Sequence, residues 1–134
     1  MFELKIEARK ENLDQVMAFA DDALEESGCP MKAQMQIDVA VEEIFVNIAS
    51  YAYEDTGDVL IQLDVRENPA QVAITFTDSG VPFDPTKRED PDVTLSADQR
   101  QIGGLGIFMA RKTMDSMTYE RTEGHNVLTI TKNL

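Results

Sequence analysis

The chain has 134 residues, enough to bury one core and too few to call for a second domain. Its 25 acidic residues against 12 basic ones leave a formal charge of −13, which repels nucleic-acid phosphate and anionic headgroups and speaks against direct binding to either. A lone cysteine, Cys29, excludes an internal disulfide; no apolar leader opens the chain, no stretch reaches the length of a membrane span, and the expected location is the cytoplasm.

Phe2, Leu4 and Ile6 alternate with Glu3, Lys5 and Glu7, the period of a half-buried strand. Leu13, Val16, Met17, Ala20, Ala23 and Leu24 recur at helical spacing, and Ser27-Gly28-Cys29-Pro30 supplies a stop. A second helix is expected over residues 31–53, with Ile37, Val41, Ile44, Ile48 and Ala52 along one stripe. At about 100° per residue, Glu43, Asn47 and Ser50 project from the side opposite that stripe. Asp55-Thr56-Gly57-Asp58 breaks the helix. Strands follow at 59–65 and 72–77, separated by Asn68-Pro69.

Asp78 keeps the parity of Val72, Ile74 and Phe76, so its carboxylate points toward the core, where an ionised group needs donors to offset desolvation. Residues 81–102 are rich in Pro, Asp, Lys and Arg and read as a long loop, either an active-site lid or a disordered segment. Leu105 to Met114 reads as a short helix. Residues 116–122 and 126–132 form a closing hairpin across Glu123-Gly124-His125. Helices and strands are too segregated for repeated βαβ units, and the expected architecture is an α+β two-layer sandwich over residues 1–134.

Three groups of residues carry chemistry. Glu43 and Asn47, at i and i+4, are neighbours on one helical face: an amide oxygen suits a hard cation such as Mg²⁺, and a carboxylate can orient or deprotonate a hydroxyl. Asp78-Ser79-Gly80 offers an acceptor for an exocyclic amine next to a residue whose backbone can approach a flat purine. Gly103-Gly104-Leu105-Gly106 places side-chain-free backbone ahead of a helix, suited to phosphate, without the spacing of a dinucleotide fingerprint or a P-loop. Each has an ordinary explanation in isolation: a solvated helix face, a strand entering a turn, a glycine hinge. With a charge of −13, any polyphosphate site here needs a divalent cation.

In this order and spacing the three groups resemble the GHKL ATP-binding superfamily, which includes gyrase, heat-shock chaperone, histidine kinase and mismatch-repair ATPases. The likeness runs from about residue 30 to 132. Val41-Glu-Glu-Ile-Phe-Val-Asn47 and Gly103-Gly-Leu-Gly-Ile-Phe-Met109 look most like the anti-sigma-factor serine/threonine kinases. The resemblance implies a mixed sheet of about five strands with helices on one face, and a lid at 81–102. It implies Glu43 as catalytic base, Asn47 as Mg²⁺ ligand, Asp78 on the adenine amine with Gly80 beneath the ring, and Gly103, Gly104, Leu105 and Gly106 closing over the phosphates of ATP.

By the same analogy the partners would be a sigma factor, an anti-anti-sigma antagonist phosphorylated on Ser or Thr, and a second copy of the chain. The subgroup often has His four residues after Asn47, where this chain has Tyr51. His125 lies near where related ATPases place a Thr or Ser beside the adenine. Two competing functions remain: a nucleotide-gated sequestering module without useful transfer, and the catalytic half of a histidine kinase. The second is disfavoured because no helix bearing a phosphoacceptor His precedes the domain.

Overall fold

The computed structural model describes residues 1–54, 56–67, 70–84 and 110–134. Strand β1 (Phe2–Glu7) is followed by a short 3₁₀ turn and by helices α1 (Leu13–Glu26) and α2 (Met31–Tyr51). Strands β2 (Asp58–Arg66), β3 (Gln71–Asp78), β4 (Ser116–Thr122) and β5 (His125–Asn133) complete a five-stranded sheet in the order β1-β2-β3-β5-β4. These bounds agree with the sequence periodicities to within two residues at nearly every end. Of the short helix expected before β4, residues 110–113 are helical, and the rest lies outside the described residues.

Every strand pair is antiparallel, which corrects the expected mixed sheet. The reason lies in the connections. A parallel pair needs a crossover that carries the chain to the opposite end of the sheet. Here two antiparallel helices lead away from β1 and back, so β2 starts from the end where β1 finished. The β4–β5 link is a two-residue turn in which Glu123 (φ 50°) and Gly124 (φ 82°) both take left-handed backbone, as a tight hairpin requires. His125 therefore opens β5, paired with Thr122, and does not sit in the turn itself.

Both helices pack on one face of the sheet. Val16 and Leu24 of α1 and Ile37, Ile44 and Phe45 of α2 meet Ile61, Leu63, Ile74, Phe76 and Ile130, all at most 1 % exposed. Helix α1 ends in paired bonds from Gly28 N to Glu25 O (3.1 Å) and from Cys29 N to Leu24 O (3.0 Å), with Gly28 at φ +75°, and Pro30 then starts α2. On β5 the residues sharing the helix-facing side are Asn126, Leu128 and Ile130, all buried. That period of two makes Asn126 an inward polar residue in register with Asp78 of β3. Among the described residues no helix is long and apolar enough to cross a membrane.

Candidate functional site

Where the C-terminal half of α2 passes over the ends of β3 and β5, the layers part to form a cavity. Its apolar walls come from Ile44, Ile48, Ala52, Val81 and Leu128; its polar groups are Asn47, Asp78 and Asn126. Asn47 is only 8 % exposed, which corrects its expected place on the outward side of α2. It sits about 60° around the helix from Ile44, on the flank of the buried stripe, and the cavity covers that flank. Its amide makes no hydrogen bond to any described residue.

Asp78 is 5 % exposed, as its parity requires. Its Oδ1 accepts from Gly80 N (2.9 Å) and from Asn126 Nδ2 (3.0 Å), while Oδ2 meets no donor among the described residues. A buried carboxylate with one saturated oxygen and one open oxygen is a ready acceptor for a single incoming donor. The turn after it is fixed by its neighbours: Val81 N donates to Ala52 O (2.8 Å), Arg121 Nη1 donates to Gly80 O (2.7 Å) and Asn126 Nδ2 donates to Val81 O (2.8 Å). Gly80 is needed for close approach to the end of α2, since a Cβ there would lie 2.1 Å from Ala52 O.

On the opposite face of the sheet Tyr53 holds the same turn from behind. Its hydroxyl donates to Asp58 O (2.7 Å) and accepts from Ser79 N (2.8 Å). Burial pushes the phenol up from its ordinary range, with the Ser79 amide acting in the other direction. Ser79 Oγ and His125 Nδ1 lie 2.8 Å apart on this outer side. His125 therefore does not reach the cavity, and the residue beside Asp78 is Asn126. Strand parity is the signal that would have found it: Asn126 leads the inward series continued by Leu128 and Ile130.

Glu43 lies one turn before Asn47, half-buried, and does not wall the cavity. Burial, and next the charge of Glu42, hold its carboxyl above the usual range for a glutamate. Tyr51 lies at the cavity rim, half exposed. Asn47 and Asp78, 31 positions apart in sequence, are thus brought to one cavity with Gly80 in the turn that closes it. Gly103, Gly104, Leu105 and Gly106 lie outside the described residues, as do residues 85–102 of the expected lid. Asn126, Tyr119 and Arg121 are the contributors that the sequence reading missed.

Both expected cofactors can be tested against these side chains. The open Oδ2 of Asp78 in an apolar cavity fits the amino group of adenine. Among the described residues no group of three or more His, Cys, Asp or Glu is gathered to hold a metal. Mg²⁺ is commonly held by one or two protein oxygens together with water and substrate phosphate, and the Asn47 side chain carries an oxygen of that hard type.

The antiparallel sheet backed by helices, with a buried carboxylate at the end of its central strand, has the fold of a histidine-kinase-type ATPase domain. The chain belongs to the histidine kinase-like ATPase domain family, whose profile matches residues 6–132. Among named proteins it is similar to the serine/threonine-protein kinase BtrW of Bordetella bronchiseptica, at 29% identity over 102 residues covering 76% of this chain and 72% of that one. It is also similar to the serine-protein kinase RsbW of Listeria monocytogenes (28% identity, 76% and 68% covered) and of Bacillus subtilis (24%, 96% and 81%). Its fold matches the RsbU and RsbW domains of Rv1364c from Mycobacterium tuberculosis with a TM-score of 0.66 at 18% identity, covering all of this chain and 33% of that one. The catalytic domain of histidine kinase ThkA matches with a TM-score of 0.50 at 14% identity, covering 99% and 97%.

Proposed function

We propose that this chain is an ATP- and Mg²⁺-dependent serine/threonine protein kinase that acts in the cytoplasm as an anti-sigma factor. Its protein substrate is an anti-anti-sigma antagonist, and it works as a single domain over residues 1–134, with a lid at 81–102. The observation that carries the nucleotide half of this reading is buried Asp78, whose Oδ2 meets no donor among the described residues, in an apolar cavity beside an Asn47 amide that bonds none of them. The protein-kinase half rests on relatives named serine or serine/threonine kinases.

In this mechanism Asp78 accepts the adenine amine, and Gly80 lets the turn beside the ring pack against the end of α2. Asn47 offers its side-chain oxygen to Mg²⁺, which when bound neutralises charge on the phosphates and orients them. By the family resemblance, Gly103, Gly104, Leu105 and Gly106 would contact the phosphates through their backbone N–H groups. Glu43 takes the proton of the attacking hydroxyl as its oxygen bonds to the terminal phosphorus and the bond to the leaving diphosphate breaks. Most of the rate enhancement comes from position and charge, since phosphoryl transfer asks little covalent chemistry of the protein.

One observation favours a second reading, a nucleotide-gated binding module without transfer: Glu43 stands outside the cavity wall. The two are separated by incubating the chain with γ-labelled ATP, Mg²⁺ and an anti-anti-sigma protein of the same cell, wild type and Glu43→Gln in parallel. Label on the protein substrate with wild type alone, at equal ATP affinity, is the expected result. Transfer by Glu43→Gln at the wild-type rate would remove Glu43 from its role; ATP binding without transfer by wild type leaves the binding module.

A further inference from the structure

We propose that Asn126 sets base selectivity at this site, by holding Asp78 so that it presents an open acceptor that admits a 6-amino purine and rejects a 6-oxo purine. This rests on the reading of the cavity as a nucleotide site and adds a positioning residue, outside the motifs read in the sequence, that determines which base is taken.

The two ends of the Asn126 amide are told apart by neighbours that can each play one part only. Arg121 is a donor without acceptor capacity, and its Nη1 lies 3.2 Å from Asn126 Oδ1; the Val81 carbonyl is an acceptor without donor capacity, 2.8 Å from Nδ2. Tyr119 adds its hydroxyl to the Oδ1 side. The amide therefore cannot turn over without setting donor against donor and acceptor against acceptor. With one Nδ2 hydrogen spent on Val81, the other is aimed at Asp78 Oδ1 at 3.0 Å.

Gly80 N supplies a second donor to the same oxygen at 2.9 Å, so Oδ1 is fully used and any ligand that reads Asp78 meets Oδ2. Asn126 is 6 % exposed and lines the cavity with Asp78, so neither group has bulk water to compensate a wrong partner. A purine amino group completes the pairing. A 6-oxo group sets one acceptor against another in a buried position, the kind of mismatch that hydrogen-bonding sites reject most strongly.

The test compares binding of ATP and of inosine triphosphate, its 6-oxo counterpart, to the whole chain by titration calorimetry with Mg²⁺. Asn126→Asp keeps the shape and puts an acceptor where Nδ2 donates. One of the two facing carboxyls then carries a proton, and with that proton on Asp78 Oδ2 an O–H is offered to a 6-oxo group. Arg121→Met removes one of the two donors to Asn126 Oδ1, together with the bond to Gly80 O, and holds the amide less firmly in the orientation that Val81 O and Asp78 Oδ1 still favour. Wild type is expected to prefer ATP, with the preference narrowed about tenfold or more in Asn126→Asp and narrowed in the same direction in Arg121→Met.

Unfolded Asn126→Asp would leave Arg121→Met to decide. If the folded variants weaken both nucleotides equally and keep the wild-type ratio, Asn126 is a structural residue and the proposal is overturned. Wild type that binds neither nucleotide overturns the nucleotide reading itself, and this proposal with it.

Discussion

Replacing Asp38 by Asn should stabilise the protein above neutral pH and leave it nearly unchanged below about pH 4. Asp38 projects from α2 toward α1, where it meets the carboxyl groups of Asp21 and Glu25; Gln34 Nε2 donates to Asp21 at 3.2 Å. With both acids ionised, Asp38 Oδ1 is buried without a donor. Protonation of Asp38 supplies one, with the Asp21 carboxyl as its hydrogen-bond partner. Burial first, and then Asp21 and Glu25, push the Asp38 carboxyl from an ordinary 3.8 up to about 7.

The folded state thus binds this proton more tightly than the unfolded chain does. The resulting stabilisation is complete below about pH 4 and is lost as pH rises through about 7. At about 1.4 kcal/mol per tenfold in proton affinity the full displacement has a ceiling near 4 kcal/mol. Asp38 is partly exposed and its charge is screened, so an effect of about 1–2 kcal/mol is expected. For a domain of this size that is roughly 3–8 °C in Tm.

An Asn amide is a donor at any pH, so urea or thermal unfolding at about pH 3.5, below the unfolded value, should give nearly equal stability for wild type and Asp38→Asn. At pH 8.5 the variant should be the more stable by the stated amount. Equal or lower stability of Asp38→Asn at pH 8.5 would refute the proton on Asp38.

Asn47→Ala should lower Mg²⁺-dependent ATP affinity about ten- to a hundredfold, the scale on which losing support for a bound metal acts. Because Asn47 bonds no described residue, its Tm should hardly move; an unchanged affinity ratio with and without chelator would exclude it as the Mg²⁺ ligand. Gly80→Ala places a Cβ 2.1 Å from Ala52 O and 2.7 Å from Ala52 Cβ, so α2 and the turn must part. A loss of about 1–3 kcal/mol in urea unfolding is expected, with loss of nucleotide binding, and wild-type stability would show that the contact is loose. The raised carboxyl of Glu43 predicts that phosphotransfer falls, as pH drops, at a higher pH than for an ordinary glutamate base. A single-turnover pH profile flat down to pH 4.5 would deny Glu43 that role.

Much of the fold was legible because each element declares itself locally. Period two in Phe2-Leu4-Ile6 and Val72-Ile74-Phe76, and helical spacing in the stripe of α2, report which side of a segment is buried without reference to its neighbours. The same parity turned Asp78 inward before any coordinates were known. What such patterns omit is the partner across the gap. Pairing direction, strand order and register follow from how helices and turns return the chain, and from burial summed over the whole sheet.

Only the tertiary structure could therefore set Asn126 beside Asp78, 48 residues away, or fold the flank of α2 carrying Asn47 under the turn at Gly80. The same holds for the Asp21 and Asp38 carboxyls facing each other between two helices. The sequence by itself determined which apolar faces would be buried and which chemistry the polar residues would bring. Packing decided which of them meet, and so which oxygen of Asp78 is left open, because a hydrogen bond between distant residues depends on angstrom-scale register that no local period encodes.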